Sequence, residues 1–200
     1  ATNASPEVTA LAKEIQAARD RANAAAQAAF DAESRLDTLD VEIAEDPHIL
    51  DIFEDLIGPN IRCWSMAWRV KRADGQTFAG WHQDSAYGAA IPVVLGGLAL
   101  SECGVAQGCL RGVPGSHKWG ILKHDESDDP RSILSKGQFI IDAFDETKAV
   151  DFALAPGEMV LFDNSLVHGS GPNAGPDRRF LLLVEMFPTR IRYTAMSLPY

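Results

Sequence analysis

The strongest constraint on this chain is a change of pattern at Gly58-Pro59-Asn60, with helical periodicity before it and short strand-like runs after it. Residues 6 to about 39 read as helix. Ser5 is the N-cap, Pro6 sits in the first turn, and Ala, Glu, Lys, Arg and Gln dominate the later turns. Val8, Leu11, Ile15 and Ala18 recur three to four positions apart and predict one buried face. A second helix is predicted over 47–56, with Ile49, Leu50, Phe53 and Leu56 inward and Gly-Pro-Asn as its stop. Beyond it, 61–70 alternates, which predicts a half-buried strand with Trp64, Met66, Trp68 and Val70 on one face. Further strands are predicted at 93–100, 109–113, 138–141, 152–155, 158–162 and 180–187. Helices first and many short strands afterwards point to a mainly β fold, an all-β barrel or jelly roll with N-terminal helices packed outside it. Residues 1–200 read as one domain, with a helical flank over 1–59 and a β core over 60–190. The charged stretch 123–137 reads as an excursion over the barrel mouth.

Composition narrows the partners. A net charge of −10 argues against nucleic acid, which needs a concentrated basic surface. No apolar run approaches the ~18–20 residues of a bilayer span, so no membrane partner is expected. The first residues carry neither a basic nor an apolar leader region, and Cys63, Cys103 and Cys109 lack metal-ligand spacing. These features predict reduced thiols and a cytoplasmic location.

The chemistry concentrates in two places. Trp81-His82-Gln83-Asp84 offers an imidazole and a carboxylate one residue apart, and His168 offers a second imidazole far downstream. Two imidazoles and one carboxylate form the facial triad that holds non-haem Fe(II) and leaves coordination positions open. After His168 come the turn Gly169-Ser-Gly-Pro-Asn173 and then Arg178-Arg179. A guanidinium on the strand after a metal ligand can grip a carboxylate through two parallel hydrogen bonds. Metal ligands plus a carboxylate clamp are what a 2-oxoglutarate-dependent oxygenase requires.

These residues carry a resemblance that runs in order from about 60 to 190. Trp81-His-Gln-Asp84, Gly108-Cys-Leu-Arg-Gly-Val-Pro-Gly-Ser-His117, Gly157-Glu158, and His168-Gly-Ser-Gly-Pro-Asn173 with Arg179 are similar to the phytanoyl-CoA dioxygenase family of Fe(II)/2-oxoglutarate oxygenases. So are Trp64, Lys71 and Lys136-Gly137-Gln138. The resemblance implies a double-stranded β-helix, with His82 and Asp84 at the end of one core strand and His168 ending a later one. It implies Fe(II) on His82, Asp84 and His168, with 2-oxoglutarate and O2 as co-substrates. Arg179 would bind the distal carboxylate of 2-oxoglutarate, with Ser170 as helper and Lys71 as a further contact. Arg179 is preferred to Arg178 because the family's spacing falls on it, and neighbouring strand residues point opposite ways. Related halogenases carry a small residue where Asp84 stands, so the aspartate favours hydroxylation. Family members begin with an additional strand that this chain lacks, which suggests a trimmed version of a longer protein.

The expected activity is hydroxylation of a small organic molecule with release of succinate and CO2. Desaturation, cyclisation and epimerisation would draw on the same iron chemistry. Two readings from other classes stay open: a zinc-dependent hydrolase on the same three ligands, and a non-catalytic β-helix that binds a ligand. Among the remaining residues, Trp81 reads as core, Tyr87 and Trp119 as cavity or core, and His117 as a structural or supporting histidine. His48 and His124 read as solvated.

Overall fold

The computed structural model describes residues 6–87 and 93–189. Helices α1 (Pro6–Ala44) and α2 (Pro47–Ile57) come first. The strands come next as β1 (Ile61–Lys71), β2 (Ala79–His82), β3 (Val94–Ala99), β4 (Leu110–Gly112), β5 (His124–Asp125), β6 (Phe139–Ile140), β7 (Val150–Phe152), β8 (Met159–Asp163), β9 (His168–Ser170) and β10 (Arg179–Pro188). The fold is mainly β, and its strand pairs are antiparallel. Among the described residues, no helix is long and apolar enough to cross a membrane.

The chain divides into two compact units, Ala1–Ile49 and Leu50–Tyr200. In the first, no described side chain of α1 is buried along the face that its spacing predicts. Ile15 is 46% exposed and Ala18 is exposed as well, while the side chains of Val8 and Leu11, like Ser5, lie outside the described residues. The helix is held by propensity and by polar pairs one turn apart, Gln16 to Asp20 and Gln27 to Asp31, each at 2.8 Å.

In the second unit, α2 is anchored by Phe53, which is fully buried. Gly96 on β3 makes this possible, since a Cβ there would stand 2.9 Å from the Phe53 ring. Leu56, predicted inward, is exposed, so the buried face of α2 narrows to Phe53.

Two four-stranded sheets make up the scaffold, in the orders β1-β10-β3-β8 and β2-β9-β4-β7, with β5 and β6 paired apart from them. The chain crosses from one sheet to the other at nearly every step. The core cluster therefore draws on both, with Leu95, Leu181 and Leu183 from one and Leu110 from the other, closed by Cys103 and Leu166. Strands β2, β5 and β9 are too short to show alternation and were not predicted from periodicity.

The inward face of β1 corrects the sequence reading. Val70 and Trp64 are 40% and 36% exposed, whereas Lys71 is fully buried and Ala67 packs on the core cluster. The pairing of β1 with β10 shifts between Cys63 and Ser65. The exposed residues of β1, Arg62, Trp64 and Val70, are even-numbered on either side of that irregularity, and Ala67, Arg69 and Lys71 face inward. Large apolar side chains thus occupy the outer face, and Trp64 meets Phe187 edge-on at 5.7 Å.

Candidate metal centre and carboxylate pocket

Strand pairing brings the two histidines together. His82 ends β2, His168 opens β9, and the two are register partners across the antiparallel ladder. Directly opposite residues project to the same face, and here the ring centroids are 4.1 Å apart. His168 therefore does not end a strand as expected; β8 stops at Asp163, and a turn delivers His168 to the other sheet. Asp84 lies two residues past the end of β2, at the start of a 3₁₀ turn, rather than on the strand.

Both imidazoles are aimed by their second nitrogen. His82 Nδ1 donates to Gly80 O at 2.8 Å, and His168 Nδ1 donates to Leu166 O at 2.9 Å. That arrangement leaves each Nε2 with a free lone pair. Both Nε2 atoms point at Asp84, at 3.4 Å from Oδ1 for His82 and 3.4 Å from Oδ2 for His168. The three ligand atoms lie within 4.8 Å of one another, close enough to share one cation. Asp84 Oδ2 is buried without a hydrogen-bond partner, a state that a bound cation would relieve.

The electrostatics suit a cation. Burial, reinforced by the neighbouring His82, lowers the His168 pKa to about 4, so the ring is neutral at pH 7. Burial works to raise the Asp84 carboxyl, but His168 and the His82 hydrogen bond outweigh it and hold the pKa at about 2. An ionised Asp84 carboxylate beside the neutral His168 imidazole suits a divalent ion.

A second cluster stands on the adjacent strand ends. Arg179 opens β10 and is buried, whereas Arg178 is exposed. Its guanidinium donates to Gly108 O at 2.9 Å and Arg69 O at 3.3 Å, while its Nε is buried without a partner. Lys71 Nζ donates to Ser170 Oγ at 2.6 Å, to Gly108 O at 3.3 Å, and to Gly171 O. Ser170 is two residues past His168, so the cluster abuts the triad. Asn173, fully buried, shapes the turn that separates them by donating to Asp177 O and accepting from Gly175 N. No carboxylate among the described residues forms an ion pair with Lys71 or Arg179. Burial, then the charge of Arg179, depress the Lys71 pKa to about 7. A buried guanidinium beside an amine poised to take up a proton, with no carboxylate paired to either among the described residues, suits an anion.

Arg69 and Glu185 were missed in the sequence. The charge of Arg69 acts on Asp84, His168, Arg179 and Glu185, which places it between the two clusters. Glu185 is the register partner of Ser65 and bonds to it. Burial, then the charge of Asp84, raise its pKa to about 7. Only the pairing of β1 with β10, which sets Arg69 opposite Leu181, reveals that Arg69 turns inward.

Other expectations change. Trp81 is half-buried on the outer side, edge-on to Phe144 at 5.6 Å with Arg111 over its ring at 5.4 Å, because it alternates with His82. His117 and Trp119 are exposed, and the buried residue of that turn is Ser116, whose Oγ accepts from Val167 N at 2.8 Å. His124 is half-buried, held where β5 pairs with β6, while His48 is exposed as expected. The side chain of Tyr87 lies outside the described residues.

Scaffold and site together define a class: a β protein with three side chains that could hold one metal ion, beside a buried cluster of basic side chains. A family model described as phytanoyl-CoA dioxygenase (PhyH) matches residues 3–181, and the chain belongs to that family. A phytanoyl-CoA dioxygenase domain-containing protein 1 homolog from Dictyostelium discoideum is 35% identical over 104 residues, covering 49% of this chain and 36% of that protein. Among solved structures, the apo form of the non-heme monooxygenase ThoJ matches with a TM-score of 0.65 and 29% identity, over 74% of this chain and 55% of that one. EvdO2 from Micromonospora carbonacea var. aurantiaca, solved in complex with 2-oxoglutarate, matches with a TM-score of 0.63 and 29% identity, over 75% of this chain and 64% of that one. The chain spans less than half the length of the curated relatives it matches.

Proposed function

We propose that the protein is an Fe(II)- and 2-oxoglutarate-dependent dioxygenase that hydroxylates a small organic molecule. The observation that carries this reading is one juxtaposition: two aimed imidazoles and an unpartnered carboxylate oxygen beside a buried lysine–arginine pair with no counter-ion. The alternation of strands between two four-stranded sheets supports a double-stranded β-helix over 60–190 as a single catalytic domain. Reduced thiols at Cys63, Cys103 and Cys109 fit a reducing, cytoplasmic setting.

His82, Asp84 and His168 would hold the ferrous ion, and their donor set suits it. When bound, the iron supplies the oxidation R–H + 2-oxoglutarate + O2 → R–OH + succinate + CO2. The chain supplies placement. Gly80 O and Leu166 O keep the imidazoles from rotating. Arg179, Lys71 and the Ser170 hydroxyl present donors for the distal carboxylate of 2-oxoglutarate, and its negative charge would offset the buried guanidinium and favour the charged form of the amine. A zinc hydrolase would leave this pocket without a use.

Anaerobic addition of Fe(II) and 2-oxoglutarate should give a visible metal-to-ligand charge-transfer band. A substrate panel scored by succinate release then identifies the molecule oxidised. His168→Ala should abolish the band and leave the circular dichroism spectrum unchanged. A wild-type protein that gives no band would end this reading.

A further inference from the structure

Gln83, the residue between His82 and Asp84, is fully buried, and its amide has a hydrogen-bond partner on each side. Nε2 donates to Gly120 O at 2.9 Å and to Ser165 O at 2.7 Å, and Oε1 accepts from Leu122 N at 2.8 Å. Only one orientation of the amide satisfies all three, because two partners are carbonyls and the third is an N–H. The Gln83 backbone is held as well: its N–H donates to His124 Nε2 at 3.1 Å, while His124 Nδ1 donates to Leu122 O at 2.8 Å.

These bonds join segments that are remote in sequence. Ser165 lies in the turn that leads into His168, so Gln83 ties the strand end bearing two ligands to the turn bearing the third. A backbone bond from Ser85 N to Asn164 O and a bond from Val167 N to the Ser116 hydroxyl flank the same junction. We propose that Gln83 and His124 are positioning residues for the metal ligands: Gln83 fixes the spacing of His82 and Asp84 from His168, and His124 fixes the backbone between the first two. The inference rests on the metal reading and adds to it the elements that set the geometry of the triad. Neither residue touches the ion, and their effect passes through the ligand atoms.

The test compares the wild type with His124→Phe, which removes the acceptor, and His124→Gln, whose Oε1 can reach the place of Nε2. Gln83→Leu is the stronger variant, but it strands three backbone groups and is informative only if it folds. Anaerobic Fe(II) titration gives the affinity, and the charge-transfer band with 2-oxoglutarate reports ligand geometry. His124→Phe should bind Fe(II) roughly 10–100-fold more weakly with a shifted band, and His124→Gln should recover part of the loss, with the melting temperature little changed in both. If His124→Phe binds Fe(II) as tightly as wild type with an unshifted band, the inference fails while the metal reading stands. If its weaker binding merely tracks a fall in melting temperature, and His124→Gln does not recover it, the role is structural and the inference also fails. A wild type that gives no band takes down both.

Discussion

Lys71 and Arg179 are register partners across the β1–β10 ladder, two basic side chains opposite each other and both buried. Like charges so placed repel and have lost their water. The ligand-free protein thus carries a local penalty that a dicarboxylate would remove. 2-Oxoglutarate should raise the melting temperature, measured by thermal shift, even without metal. Arg179→Ala should weaken 2-oxoglutarate binding by roughly 10–100-fold, since a charge-assisted contact is worth about 1.5–3 kcal/mol. An unchanged affinity in that variant would remove Arg179 from the pocket.

Proton linkage arises at Lys71. Its folded pKa of about 7 lies below the ordinary 10.5, so between those values the unfolded chain binds a proton that the folded chain does not. Stability from this group therefore rises with pH from about 7 towards 10.5, and the penalty is complete below 7. A bound carboxylate favours the charged amine and pulls the pKa back up. 2-Oxoglutarate binding at pH 8 should take up part of a proton and weaken as pH rises. Calorimetry in buffers of different ionisation enthalpy measures that uptake, and its absence in wild type would argue that Lys71 is remote from the ligand.

Gly108 forms the wall of this pocket, and its carbonyl accepts from both Lys71 and Arg179. Its φ is +64°, and a Cβ added there would stand 2.3 Å from Gly171 O. Gly108→Ala should cost about 2–5 kcal/mol by denaturant unfolding, combining left-handed strain with a backbone clash. It should also weaken 2-oxoglutarate binding. A neutral outcome would mean that the turn shifts freely.

Glu185 should reveal itself through pH. Its folded pKa of about 7 is raised above the ordinary 4.5, so the folded state holds a proton that the unfolded state releases. Its contribution is present below 4.5 and is lost as pH rises through 7. Metal-free Glu185→Gln should match wild type near pH 4 and exceed it at pH 8 by on the order of 1–3 kcal/mol. Parallel stability curves for the two proteins would show that this carboxyl is freely solvated.

What could be read without coordinates was chemical identity and order. His82-x-Asp84, His168, the glycine-rich turn and Arg179 stand in a spacing that names a metal and a carboxylate clamp, and the punctuation by glycine and proline names a β fold. Periodicity did less well where burial depends on a distant partner. On α1 the three-to-four spacing of Ile15 and Ala18 meets no buried face. On β1 the apolar residues Trp64 and Val70 turned outward, and Arg69 and Lys71 turned in.

The sequence by itself determined which side chains can bind a cation and an acid, because donor type and local spacing are properties of a few adjacent residues. Only the tertiary structure decided that His82 faces His168, that Lys71 faces Arg179, and that Gln83 reaches Ser165. The physical reason is register: a strand's side chains alternate with period two, so its pairing with other strands decides which of its two faces is the inner one. That choice is settled by hydrogen bonds to strands roughly a hundred residues away, not by the strand's own residues.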